Sequence, residues 1–107
     1  MEPEAFAKLQ GPSFCAYLTG YPMTLGRAKD LDGHIHLSED PKISKTHASI
    51  DWNPVESSFF IRCIGRNSLL VNQVRLKAED PPARLHSKTA VRIGSVEFYF
   101  LLPAQKD

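Results

Sequence analysis

Arg27, Lys42, Ser44, Arg66 and Asn67 fall in short stretches ("GR", "KIS", "GRN") suited to holding an oxyanion. Arginine presents a planar fork that donates two parallel hydrogen bonds to phosphate oxygens. A serine hydroxyl and a loop amide supply neutral donors for the remaining lone pairs. In the extended backbone expected of "KIS", Lys42 and Ser44 project to the same side, two positions apart. Arg27 closes the strand-like run "MTLGR", and Arg66 with Asn67 occupies a tight turn. Taken singly, each has a plainer reading: Arg27 as a solvated loop charge, Ser44 as a turn former, Asn67 as a residue that tolerates left-handed backbone. Their order and spacing together make the case for a phosphate site.

Two other chemistries are weaker. Ser44 and His47 stand three apart, like a nucleophile and its base, but such a pair needs an orienting partner and an oxyanion hole. The serine also lacks the "GxSxG" elbow that exposes a nucleophile. The expectation is a binding protein with no catalytic residue. His34 and His36, two apart on a strand, could share a metal ion, yet a structural zinc site takes four ligands and no further histidine or cysteine is paired nearby. They read as half-exposed strand residues, with no metal and no cofactor expected. Cys15 and Cys63 lie far apart in apolar surroundings and read as reduced core thiols.

The elements that must position these groups are strands. "SFCAYLT" (13–19) alternates Phe14, Ala16 and Leu18 against Cys15, Tyr17 and Thr19. Similar runs are "MTLGR" (23–27), "HIHL" (34–37), "HASIDW" (47–52), "SFFIRCI" (58–64), "SLLVN" (68–72), "TAVRI" (89–93) and "VEFYFLL" (96–102). "DLDG", "NP", "GRN", "EDPP" and "IGS" punctuate them. "FAKLQ" (6–10) suits a helix start or an edge strand, and "EDPPARLH" (79–86) reads as a proline-stiffened loop. The pattern predicts an all-β, antiparallel sandwich of two twisted sheets. Phe59, Ile61 and Cys63 from one strand, with Val96, Phe98, Phe100 and Leu102 from another, supply its core.

Whole-chain totals agree with one such domain over 1–107. The chain has 107 residues, 42% hydrophobic and 23% charged, with a net charge of +1. That balance gives no global field for DNA or an anionic membrane, so any anion is held by local groups. No stripe of basic and aromatic residues suggests direct nucleic-acid contact. The first twenty residues lack a signal-peptide pattern and no segment is long enough to span a bilayer, which points to the cytosol or nucleus.

The order Gly26-Arg27, then Ser44-x-x-His47, then Asn67 resembles that of the forkhead-associated (FHA) domain, a phosphothreonine-reading β-sandwich. Flanking runs agree: "HASIDW", "FFIRCIGRN" and "VRIGSVEFYFLLP". The similarity covers about residues 5–103, and "FAKLQG" with "EFYFLLP" is closest to the FHA domains of forkhead-type and related transcriptional regulators. The resemblance implies that Arg27 grips the phosphate, Ser44 donates to it, and Lys42 and Arg66 add contacts. It implies that Asn67 holds the ligand's main chain, while His47 and Gly26 are structural. It further implies a monomeric module of a longer nuclear protein, with a phosphothreonine-containing protein as partner and no membrane or direct nucleic-acid role. The departures are Ser68 and Gln73, each where the family usually has the glycine of an Asn-Gly pair. They predict an altered turn at 67–68. They also leave a second class open, an interaction module that binds its partner through a sheet face without phosphate.

Overall fold

The computed structural model describes residues 6–103. Every regular element among them is a strand, as the short β-branched and aromatic runs dictate. In chain order these are β1 (Ala7–Gln10), β2 (Cys15–Leu18), β3 (Met23–Gly26), β4 (His34–His36), β5 (Ala48–Asn53), β6 (Ser58–Cys63), β7 (Leu69–Val71), β8 (Val74–Leu76), β9 (Ala83–Leu85), β10 (Thr89–Ile93) and β11 (Val96–Leu101). They form a six-stranded sheet in the order β2-β1-β11-β10-β7-β8 and a five-stranded sheet in the order β4-β3-β5-β6-β9.

Period-two alternation decides what each strand buries. Leu9, Leu18, Val91, Phe98 and Phe100 from the first sheet meet Leu25, Ile50, Phe59, Ile61 and Cys63 from the second in one continuous core. The solvent faces keep Tyr17 and Tyr99 on one sheet and Asp51 and Arg62 on the other. Burial of the core side chains at roughly 1.5–3 kcal/mol each is the main term holding the sheets together.

Several expectations are corrected. "FAKLQ" is neither a helix nor an edge strand. Residues 7–10 form β1, hydrogen-bonded on both sides to β2 and β11. The buried positions Ala7 and Leu9 alternate with Lys8 and Gln10, which suits a two-sided pairing within a sheet. The sandwich is not wholly antiparallel. β3 and β4 pair in parallel, with Thr24 opposite His34 and Gly26 opposite His36. The connection 27–33 runs back along β3 before β4 begins, which Thr24 N–H to the Gly33 carbonyl (2.8 Å) secures. "EDPPARLH" contains the edge strand β9, and Leu102 lies past the end of β11 and is exposed. Cys15 is on the solvent face of β2, out of phase with Ala16 and Leu18, and is exposed, whereas Cys63 is buried as expected. The domain expectation over 1–107 also takes in residues 1–5 and 104–107, which lie outside the described residues.

The registers fix which end carries the loops of interest. Leu25 stands opposite Ala48, and Ala48 opposite Cys63. The chain segments following Gly26 and Cys63 and preceding Ala48 therefore emerge at one end of the five-stranded sheet. At the other end of the same strands, Phe59 packs edge-on against Tyr21, Trp52 and Phe100, with centroids 4.9–5.9 Å away.

Candidate functional site

Arg27 leaves β3 directly after Gly26, a buried glycine on whose Cβ position the carbonyl of Lys45 impinges. A side chain there would push away the 43–46 loop. Because it is absent, the loop lies against the strand end, with Arg27 N–H donating to the Ser44 carbonyl (3.0 Å) and Ala28 N–H to the Lys45 carbonyl (3.1 Å). The Arg27 guanidinium is half-buried and aimed by one bond, from Nε to the Ile43 carbonyl at 2.9 Å. Its two terminal nitrogens make no bond within the described residues, so the fork remains available for two parallel bonds to an anion.

The segment 42–44 is not extended, as the sequence suggested, but a turn. Ile43 N–H donates to the Asp40 carbonyl (2.9 Å), and the Ile43 side chain is wholly buried. The apolar side chain of Ile43 is driven into the core, which leaves exposed Lys42 and half-buried Ser44 at the surface on either side. Asp40 pins this turn. It accepts from Lys42 N–H (2.9 Å) and Ser95 N–H (3.2 Å), and these bonds, the Lys42 amide first, hold its carboxyl below the ordinary range.

Ser44 Oγ accepts from the Arg66 backbone N–H at 3.2 Å. Its own proton is therefore free to donate outward, as an anion would require. That bond depends on a residue the motif reasoning left out. Gly65 is buried, and a Cβ there would stand 2.7 Å from Ser44 Oγ and 3.1 Å from the Cα of His47. Its mark in the sequence is no more than a glycine two residues past the end of β6. The Arg66 side chain is exposed on the same rim.

His47 is completely buried and joins three segments. Its N–H donates to the Leu25 carbonyl (2.7 Å), and its carbonyl accepts from Ile64 N–H (2.9 Å) and Gly65 N–H (3.0 Å). Its Nδ1 accepts from Ser44 N–H at 3.0 Å, which assigns the ring proton to Nε2, facing the Ser68 carbonyl at 3.4 Å. An imidazole held so is a brace, and Ser44 N–H, not the Ser44 hydroxyl, is its partner. No nucleophile–base contact exists between the two side chains.

Asn67 is exposed, and its amide donates to the Lys42 carbonyl at 2.9 Å. Beneath it the Cys63 thiol donates to the Asn67 carbonyl at 3.3 Å. Burial pushes the Cys63 pKa up, so it stays a protonated donor. The turn at 67–68 does not use left-handed backbone. Among the described residues the positive-φ pair in this region is Asn72 (49°) and Gln73 (68°), between β7 and β8.

His34 and His36 are half-exposed, as read from the sequence. His34 Nδ1 lies 2.6 Å from Thr24 Oγ1, and His36 Nδ1 lies 3.1 Å from the Arg27 carbonyl. Among the described residues no three His, Cys, Asp or Glu side chains gather to hold a metal ion. Arg27, Lys42, Ser44, Arg66 and Asn67 are thus brought together at one end, with Gly26 and His47 beneath them.

A sandwich of this topology with these loops defines a class of binding domain. The chain belongs to the FHA domain family, whose pattern residues 23–94 match. FHA domains are phosphopeptide-binding modules rather than enzymes. Among curated relatives, the chain is 36% identical over 104 residues to the transcriptional activator FHA1 of Nicotiana tabacum, covering 94% of this chain and 50% of that protein. It is 31% identical over 120 residues to the fork head protein homolog 2 of Saccharomyces cerevisiae, covering 95% of this chain and 14% of that one. The chain therefore spans half or less of these relatives' length. Among solved structures, the N-terminal FHA domain of S. cerevisiae Rad53p, determined with a phosphothreonine peptide, superposes with a TM-score of 0.77 at 14% identity. The match covers 92% of this chain and 94% of that one.

Proposed function

We propose that this chain is a phosphothreonine-binding module that docks a phosphorylated protein partner at the loop end of the sandwich. One observation carries the reading. The Arg27 guanidinium and the Ser44 hydroxyl are each fixed by a bond on one side, to the Ile43 carbonyl and from the Arg66 amide. Each keeps its remaining donors for a ligand. A phosphothreonine offers nearly two negative charges and three acceptor oxygens to such a set. In this reading Arg27 grips the phosphate and Ser44 donates to it. Lys42 and Arg66 add charge, Asn67 holds the ligand's main chain, and Gly26 and His47 support the loops. Donors already ordered by the fold lose little freedom when a ligand arrives.

Relatives with transcriptional names support a partner in nuclear signalling or transcription, with the chain as one module of a longer protein. Direct contact with nucleic acid is left to other parts of that protein.

The test is a titration of one peptide in phosphothreonine, phosphoserine and unphosphorylated forms. The expectation is tightest binding of phosphothreonine and none of the unphosphorylated form. Arg27→Ala should cost roughly 2–5 kcal/mol of binding, the loss expected when one partner of a desolvated charge pair is removed. Equal binding of all three forms would instead favour a phosphate-independent module.

A further inference from the structure

We infer that Asp40 is a positioning residue for the phosphate site, acting through the turn it closes and tying that turn to the β10–β11 hairpin. This rests on the phosphothreonine reading and concerns how its donors are held. Asp40 stands in the connection between β4 and β5, four residues before Ser44. Its main-chain carbonyl accepts from Ile43 N–H at 2.9 Å, and its Oδ1 accepts from Lys42 N–H at 2.9 Å. One residue thus closes the turn with both its main chain and its side chain.

The turn presents two carbonyls to the site. The Ile43 carbonyl accepts from Arg27 Nε at 2.9 Å and aims the guanidinium. The Lys42 carbonyl accepts from the Asn67 side-chain amide at 2.9 Å. Lys42 and Ile43 therefore each bond Asp40 through N–H and a side chain of the site through C=O. Arg27 follows β3 and Asn67 lies between β6 and β7, so two separate loops take their aim from one turn.

The second carboxylate oxygen reaches the other sheet. Asp40 Oδ2 accepts from Ser95 N–H at 3.2 Å, in the turn that joins Ile93 of β10 to Val96 of β11. Gly94 permits this approach. Its φ is 58°, and a Cβ there would stand 2.6 Å from Ile43 Cγ1 and 3.1 Å from Asp40 Oδ2. Ile43 is itself wholly buried in a close-packed core, so it has no room to yield. The hairpin clamps the turn from behind.

Charge and positioning predict opposite signs here. A carboxylate near a bound dianion repels it, so removing the charge alone would tighten binding, by up to about fivefold for exposed groups. Losing the turn loosens Arg27 and Asn67 together and weakens binding. The geometry favours the second outcome. Both carboxylate oxygens are engaged by amides, and bonds to an ionised acceptor are the stronger kind.

The experiment titrates one phosphothreonine peptide against the parent domain, Asp40→Ala, Asp40→Asn and Arg27→Ala. Asp40→Ala should lose about tenfold in affinity. Asp40→Asn should lose about threefold, because its amide oxygen still accepts from Lys42 N–H. NMR of the peptide-free domains adds a readout that lost stability alone does not move. The Arg27 Nε–H and Asn67 side-chain amide protons should exchange faster in Asp40→Ala while the core resonances stay in place. Peptide should slow exchange of Ser95 N–H in the parent and not in Asp40→Ala, since coupling between two sites is reciprocal. Affinity in Asp40→Ala that is tighter than the parent's, or within about twofold of it, overturns the positioning role and leaves the phosphothreonine reading standing. Should that variant not fold, the sign of the change in Asp40→Asn decides: tighter binding overturns the role and weaker binding supports it. If Arg27→Ala binds as the parent does, the phosphothreonine reading fails and the role of Asp40 falls with it.

Discussion

His47 shows how one buried side chain can govern a site it does not enter. With the ring gone, Ser44 N–H loses its acceptor, the Ser68 carbonyl loses the Nε2 proton facing it, and a cavity opens between the two loops. A buried polar group left unsatisfied costs about 1–3 kcal/mol, and the cavity adds to that. His47→Ala should therefore lower unfolding free energy by about 2–4 kcal/mol. On the proposed reading it should also weaken phosphopeptide binding in the fraction that remains folded, because Ser44 loses the bond that fixes its main chain. Denaturant titration gives the first quantity and calorimetry below the melting transition gives the second. Unchanged affinity in the folded fraction would mean that His47 serves stability alone. Arg27, Ser44 and Asn67 could be proposed from the sequence because guanidinium, hydroxyl and amide side chains announce their hydrogen-bonding chemistry. Gly65 and the Cys63 thiol could not, because one acts by having no side chain and the other by a weak bond formed only after folding.

At the level of elements, alternation of apolar residues revealed β5, β6, β10 and β11, each five or six residues long. The three-residue strands β4 and β7 fall within the runs "HIHL" and "SLLVN", but β8 and β9, equally short, show no buried alternation of their own. β8 and β9 exist because neighbours pair with them, β8 with β7 and β9 with β6. The parallel β3–β4 pair is likewise a product of tertiary contact, since hydrophobic alternation carries no strand direction. The β7–β8 hairpin turns on Asn72 and Gln73, both at positive φ. Asn72 is held by its side-chain Oδ1, which accepts from Ala90 N–H (2.9 Å), but Gln73 has a Cβ in a region where L-residues lose about 1–2 kcal/mol. Glycine removes that strain and returns part of the gain as unfolded-state entropy. Gln73→Gly should thus stabilise the domain by about 0.5–1 kcal/mol, read as a higher denaturation midpoint at unchanged slope. A loss of stability would indicate that the Gln73 side chain contributes packing that outweighs the strain.

For the molecule as a whole, the arrangement separates the aromatic packing of the core from the loops proposed to bind. The loops carrying Arg27, Ser44 and Asn67 sit at the Ala48–Cys63 end of the five-stranded sheet, and Phe59 with Trp52 lies toward the Asn53–Ser58 end. Phe59 is 5% exposed and bridges the sheets through Phe100. Aromatic pairs of this kind contribute about 0.5–1.5 kcal/mol beyond the area they bury. Phe59→Leu should remove three edge contacts and cost about 1–3 kcal/mol of stability. Phosphopeptide affinity per folded molecule should stay within about twofold, because distant sites without shared partners behave almost independently. Thermal melts with and without peptide measure both quantities on one sample. The variant should melt lower, yet peptide should raise its midpoint by the amount that mass action gives the parent domain. A midpoint that peptide no longer raises would mean that the sandwich transmits strain from its aromatic end to the loops, and that the scaffold is softer than its packing implies.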